Sequence, residues 1–93
     1  MELDNPVIRS FKIRNKLGLH ARAASLFVQL ASKYDSDIFV VKNGQEVNGK
    51  SIMGILILAA AQGSEITVKA SGGDAAGAVD ALGDLIDNGF GED

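Results

Sequence analysis

Cysteine is absent from this 93-residue chain, so it can form neither a disulfide framework nor a thiolate metal site. Histidine occurs once, at position 20, too few for a zinc site. Basic charge is not in excess. Nine Lys and Arg stand against twelve Asp and Glu, a formal net charge of −3 with a pI near 5.0. That balance argues against generic nucleic-acid binding, which favours a basic patch. The apolar segment over residues 52–61 falls short of the about 20 residues a membrane span needs. The first six residues have no basic n-region and no apolar h-region, so they do not read as a signal peptide. We expect residues 1–6 to form a disordered arm. No internal repeat and no low-complexity segment is present.

What remains is 46% hydrophobic and fits one domain over residues 7–89, with a tail over 90–93. A chain of this length buries roughly 60–65% of its unfolded surface, enough for one modest core. Ser10, Lys12 and Arg14 alternate with Phe11 and Ile13, a half-buried strand. Ala24, Phe27, Val28 and Ala31 recur at steps of three and four and predict a helix reaching about Tyr34. A strand over 38–42 follows, then Asn43-Gly44, a type I′ hairpin signal. A short polar return strand over 45–48 reads as a sheet edge. Ser51 is placed to cap a short helix. Residues 65–70 alternate as a fourth strand. A last helix carries Ala75, Val79, Leu82 and Ile86 on one stripe, starts after an N-cap near Asp74, and ends at Asn88-Gly89. Gly77 and Gly83 either weaken that helix by about 1 kcal/mol each or allow close packing on the sheet. Asp80, Asp84 and Asp87 form a solvated acidic face. The order is β-α-β-β-α-β-α. It predicts an α+β open-faced β-sandwich, a four-stranded antiparallel sheet with three helices on one face.

The chemistry converges on Gly18-Leu19-His20-Ala21-Arg22-Ala23-Ala24. His20 falls where a loop gives way to the first helix. The first N–H groups of a helix have no partner inside it, and the macrodipole makes that end partly positive. Such an end suits phosphate, and the Arg22 guanidinium matches phosphate oxygens. The same end favours neutral imidazole, which keeps a nucleophilic lone pair. A phosphoryl group on that ring would lie beside the helix amides and Arg22, which would also steady a loose transition state. Taken alone, the pattern describes an anion site, and the competing reading is a capping or solvated histidine. Gly18 supplies either an unusual backbone angle or clearance beside His20.

Residues 15–24, Asn-Lys-Leu-Gly-Leu-His-Ala-Arg-Ala-Ala, resemble the active-site segment of HPr, the histidine-containing phosphocarrier family of the bacterial phosphotransferase system. Residues 48–56, Asn-Gly-Lys-Ser-Ile-Met-Gly-Ile-Leu, resemble a second family segment, with Ser51 at the family's spacing from His20. The resemblance runs from about Val7 to Asn88 and supplies the detailed topology. It implies that His20 takes a phosphoryl group from enzyme I and gives it to sugar-specific A components. Arg22 would attend the phosphohistidine, with Asn15 and Gly18 supporting its loop. Ser51 would be the target of a dedicated kinase and phosphorylase. Ala21, Ser25, Ile52, Met53 and Leu56 would meet partner proteins, whereas Ile55 and Leu58 read as core. One departure is Ala23, where the family usually has proline. Alanine is a strong helix former, so the helix should survive and the transfer rate is what is put in doubt.

The expected protein is therefore a cytoplasmic monomer without cofactor, metal, nucleic acid or membrane insertion. It would be a carrier intermediate rather than an autonomous enzyme. Two alternatives accompany this reading: a regulatory paralogue in a nitrogen-related branch, and an anion-binding interaction module that is never phosphorylated.

Overall fold

The structure is a computed structural model and describes residues 5–92. The expected arm over 1–6 lies outside the described residues except for Asn5 and Pro6. The chain runs β1 (Val7–Lys12), α1 (Ala21–Ala31), β2 (Asp37–Lys42), β3 (Gln45–Asn48), α2 (Ile52–Leu58), β4 (Glu65–Ser71) and α3 (Ala75–Asp87), then a 3-10 turn at Gly89–Gly91. The strands form one antiparallel sheet in the order β1-β4-β2-β3. This is the open-faced architecture the pattern predicts, with polar β3 at an edge. Asn43 and Gly44, at φ 50° and 82°, make the positive-φ pair of the tight β2–β3 turn.

One face of the sheet carries the core. Ile66, Val68 and Ala70 alternate inward on β4, and Ile38 and Val40 do so on β2. Val40 stands opposite Val68, and Ile38 opposite Ala70. Helices α1 and α3 lay Ala24, Phe27, Ala31, Val79, Leu82 and Ile86 onto this face, all fully buried. Strand β1 pairs Phe11 with Ile66 and Arg9 with Val68, so Arg9 also points to the helix side. Its guanidinium lies over the Phe11 ring, 5.7 Å from the centroid, and ion-pairs with Asp80 of α3. The acidic face of α3 is thus partly engaged at Asp80. Gly83 faces the same ring. A Cβ there would come within 2.5 Å of it, so of the two readings of this glycine, close packing holds.

Four predicted details change. Helix α1 stops at Ala31 rather than near Tyr34, and β1 stops at Lys12 rather than Arg14. Asp74 occupies the N-cap position of α3, but its side chain caps nothing there. Its carboxylate instead accepts from the backbone N–H groups of Asp35 (2.9 Å) and Ser36 (3.0 Å) and from the Ser36 hydroxyl. The expected tail also folds back. Gly89, Phe90 and Gly91 have φ of 60°, 57° and 73°, which reverses the chain and buries Phe90. A non-glycine residue in that region costs about 1–2 kcal/mol. Burying a phenylalanine ring returns about 1.5–3 kcal/mol, so the reversal holds. Among the described residues no helix is long and apolar enough to cross a membrane.

Candidate functional site

The loop between β1 and α1 is tied to the turn before β4. Ile13 N–H donates to Ser64 O (2.9 Å), Gly63 N–H to Ile13 O (2.8 Å) and Leu19 N–H to Ala60 O (2.9 Å). Gly18 supplies the unusual backbone angle, and the clearance it gives is toward Ala60 rather than beside His20. Its φ is +66°, and a Cβ would overlap the carbonyl oxygen of Ala60. The loop therefore runs close enough to the neighbouring backbone to deliver the next residues in one place.

His20 is the N-cap of α1, with extended backbone (φ −76°, ψ −180°). Its carbonyl accepts the first helical bond, from Ala24 N–H at 2.8 Å. Its side chain makes no capping bond, which removes the competing capping role. The imidazole is 28% exposed and its Nε2 lies 2.5 Å from Oε2 of Glu92. Arg22 stands in the first turn of α1. Its NH1 donates to the same Oε2 at 2.9 Å and to Phe90 O at 3.2 Å. Asn15, fully buried, donates its Nδ2 to Gly18 O (2.8 Å) and to Oε1 of Glu92 (2.9 Å). Its Oδ1 is buried with no partner among the described residues. Hydrogen bonds from Asn15 and His20, then from Arg22, hold the Glu92 carboxyl below the usual carboxylate range.

The structure therefore brings together His20, Arg22, Asn15 and Gly18, all of them singled out from sequence. It adds Glu92, which sequence reasoning missed. Glu92 is 72 residues from His20, and no local pattern marks such a contact. The one available signal was Phe90, a large apolar residue placed in what read as a tail. Chemically the cluster combines a partly exposed imidazole, a guanidinium, a helix start and an ionised carboxylate. It can hold and exchange an anion at the ring. Among the described residues no group of three or more His, Cys, Asp or Glu side chains is placed to hold a metal ion.

The sequence model of the family described as PTS HPr component phosphorylation site matches residues 7–88. The chain belongs to the HPr family. The phosphocarrier protein HPr of Neisseria meningitidis serogroup A is 54% identical over 84 residues, covering 90% of this chain and 94% of that protein. HPr of Xylella fastidiosa (strain Temecula1) is 49% identical over 81 residues, 87% and 91% of the two chains. The crystal structure of HPr-C-His from Thermoanaerobacter tengcongensis has a TM-score of 0.90 at 49% identity, covering 94% of this chain and 98% of that one. HPr membership carries a phosphocarrier role in the phosphotransferase system, that of a relay component rather than an autonomous enzyme.

Two further positions singled out in the sequence have a place in the structure. Ala23, where the resemblance leads one to expect proline, is fully buried in the first turn, and α1 forms there without the ring. Ser51 is the N-cap of α2, its hydroxyl accepting from Gly54 N–H at 3.1 Å. Helix α2 packs beside α1. It buries Ile55 and Leu58, half-buries Leu56, and leaves Ile52 and Met53 exposed at 43% and 67%. On α1, Ala21 is exposed and Ser25 half-buried, its hydroxyl accepting from Gln29 Nε2 at 3.1 Å.

Proposed function

We propose that the chain takes a phosphoryl group on the His20 ring from phospho-enzyme I. It then passes the group to sugar-specific A components of the phosphoenolpyruvate-dependent phosphotransferase system. The observation that carries this reading is the placement of His20. Its ring is partly exposed at the N-cap of α1, takes no part in capping, and has Arg22 in the next turn. A helix start and a guanidinium both favour phosphate over an uncharged ligand. Partners dock on the exposed side of α1 and α2, through Ala21, Ser25, Ile52, Met53 and Leu56. Met53 is the adaptable element of that surface, since a flexible thioether side chain fits several partners. Ser51 phosphorylation by a dedicated kinase would place about two negative charges at this surface and repel an acidic partner. The carrier acts as a cytoplasmic monomer, which leaves the docking surface free.

The test is intact mass after incubation with phosphoenolpyruvate and catalytic enzyme I. The expected result is one added phosphoryl group that is lost in acid and absent from His20→Ala. An unphosphorylated wild-type chain, with several enzyme I sources tried, overturns the reading in favour of an anion-binding docking module.

A further inference from the structure

We propose that Met53 is an oxidation site that governs docking. Its thioether takes an oxygen from a peroxide, and the sulfoxide weakens the hold of partner proteins on α2 while the fold stays intact. The docking half of this inference rests on the phosphocarrier reading above. The oxidation half does not.

Sulfur is scarce in this chain. Cysteine is absent and methionine occurs twice, at positions 1 and 53. No thiolate is present to react with an oxidant first, and Met53 is the one sulfur-bearing side chain among the described residues. Susceptibility to oxidation follows exposure, and Met53 is 67% exposed in the first turn of α2. The surroundings are apolar. Residues 52–58, Ile-Met-Gly-Ile-Leu-Ile-Leu, carry no polar side chain. Ile52 is exposed beside Met53, and Ile57 is 58% exposed one helical turn on, on the same face as Met53. Two nearby lysines are already engaged by the ends of helices. Lys42 Nζ donates to Leu58 O at 3.2 Å, and Lys50 Nζ donates to Tyr34 O at 2.7 Å, just past α1. A partner that covers Met53 therefore meets it within apolar surface. A sulfoxide brings a polar S–O group into that contact, where burial without a hydrogen bond is costly.

The fold does not depend on the Met53 side chain. Helix α2 is held from its other face by buried Ile55 and Leu58. Its start is capped by the Ser51 hydroxyl. Gly54 lies close against β3, where a Cβ would come within 3.2 Å of Val47 Cβ. An oxygen added to an exposed sulfur leaves all three in place. The oxidant is a hydroperoxide such as hydrogen peroxide. A sulfur lone pair attacks one peroxide oxygen, the O–O bond breaks, and its electron pair leaves with the other oxygen. The proton on the transferred oxygen passes to the leaving one, so the products are the sulfoxide and water. Sulfur is oxidised by two electrons and the peroxide is reduced by two. Methionine sulfoxide reductases reverse the change, one enzyme for each sulfoxide epimer.

The experiment treats the purified protein with hydrogen peroxide and maps the added oxygen by peptide mass. The protein is then assayed as the varied substrate of catalytic enzyme I with phosphoenolpyruvate. The expected result is one oxygen on Met53 and a KM raised on the order of tenfold. An unchanged kcat and denaturation midpoint should accompany it, and the reductases should restore KM. Met53→Leu has no sulfur at this position. Whatever its own KM, that value should be the same before and after peroxide. Met53→Gln is polar without oxidation and should raise KM in untreated protein. An oxidised wild type with unaltered KM, or one with a lowered denaturation midpoint, overturns the docking role. An equal rise of KM in peroxide-treated Met53→Leu places the sensitive group elsewhere and overturns the site. A wild type that takes no phosphoryl group overturns the phosphocarrier reading and the docking half with it, while the peptide map still decides whether Met53 is the oxidised residue.

Discussion

Ser51 has a structural role as a cap and a proposed regulatory one, and substitution can separate the two. Its hydroxyl caps α2 through Gly54 N–H, so Ser51→Ala should cost about 1 kcal/mol, read by chemical denaturation. Asp and Asn cap as well as Ser does. Ser51→Asn should therefore keep both the helix and the transfer rate. Ser51→Asp should keep the helix but slow phosphorylation of His20, because it adds charge beside the docking surface. Equal transfer rates in the Asp and Asn variants would remove charge repulsion as the regulatory device. At this scale the positions of His20, Arg22, Ser51 and Gly18 were legible in the sequence because each sits next to a helix start or a tight loop, whereas Asn15 was singled out only by the resemblance. Local spacing encodes such positions. Glu92 and Asp74 were not legible, since each acts on a segment far along the chain. Asp74 even stands where a cap belongs, yet its carboxylate serves the Asp35-Ser36 loop.

Within α3, two glycines that look alike in sequence are in opposite surroundings. Gly77 is exposed, its nearest neighbour Tyr34 at 3.9 Å from a built Cβ. Gly77→Ala should stabilise the protein by about 0.5–1 kcal/mol, the backbone entropy that glycine loses on folding. Gly83 is buried against the Phe11 ring. There the same gain is outweighed by overpacking, which costs about 1–3 kcal/mol. Gly83→Ala should therefore lower the unfolding midpoint and Gly77→Ala raise it. A shared sign would show that helix propensity alone decides both. The pattern of apolar residues placed β1, α1, β4 and α3, because periodicities of two and 3.6 survive in those amphipathic segments, whereas polar β3 followed from the Asn43-Gly44 turn and α2 from its Ser51 cap. It did not reveal that Arg9 faces the helices. A charged residue on an inward position is read as outward until its ion pair with Asp80 is seen.

At the level of the whole molecule, two carboxylates tie distant segments together. Asp74 fastens the start of α3 to the loop after α1, and Glu92 fastens the C-terminal turn to the site. Both have folded-state pKa values below the ordinary 3.8 and 4.5, Asp74 chiefly through the Ser36 hydroxyl and Asp35 N–H, Glu92 chiefly through Asn15 and His20. A group depressed on folding stabilises in full above its unfolded pKa and loses that contribution as pH falls through the folded one. Denaturation midpoints should therefore hold from neutral pH to about pH 5 and fall below about pH 4. Asp74→Asn and Glu92→Gln should each flatten that acid limb, and an unchanged slope in both would place its origin elsewhere. The sheet order has a kinetic side as well. Among the described residues strand β1 pairs only with β4, and His20 meets a carboxylate 72 positions further on. During synthesis β1 must wait for most of the domain to emerge from the ribosome. A nascent chain therefore extends well past α1 before its histidine can meet that carboxylate.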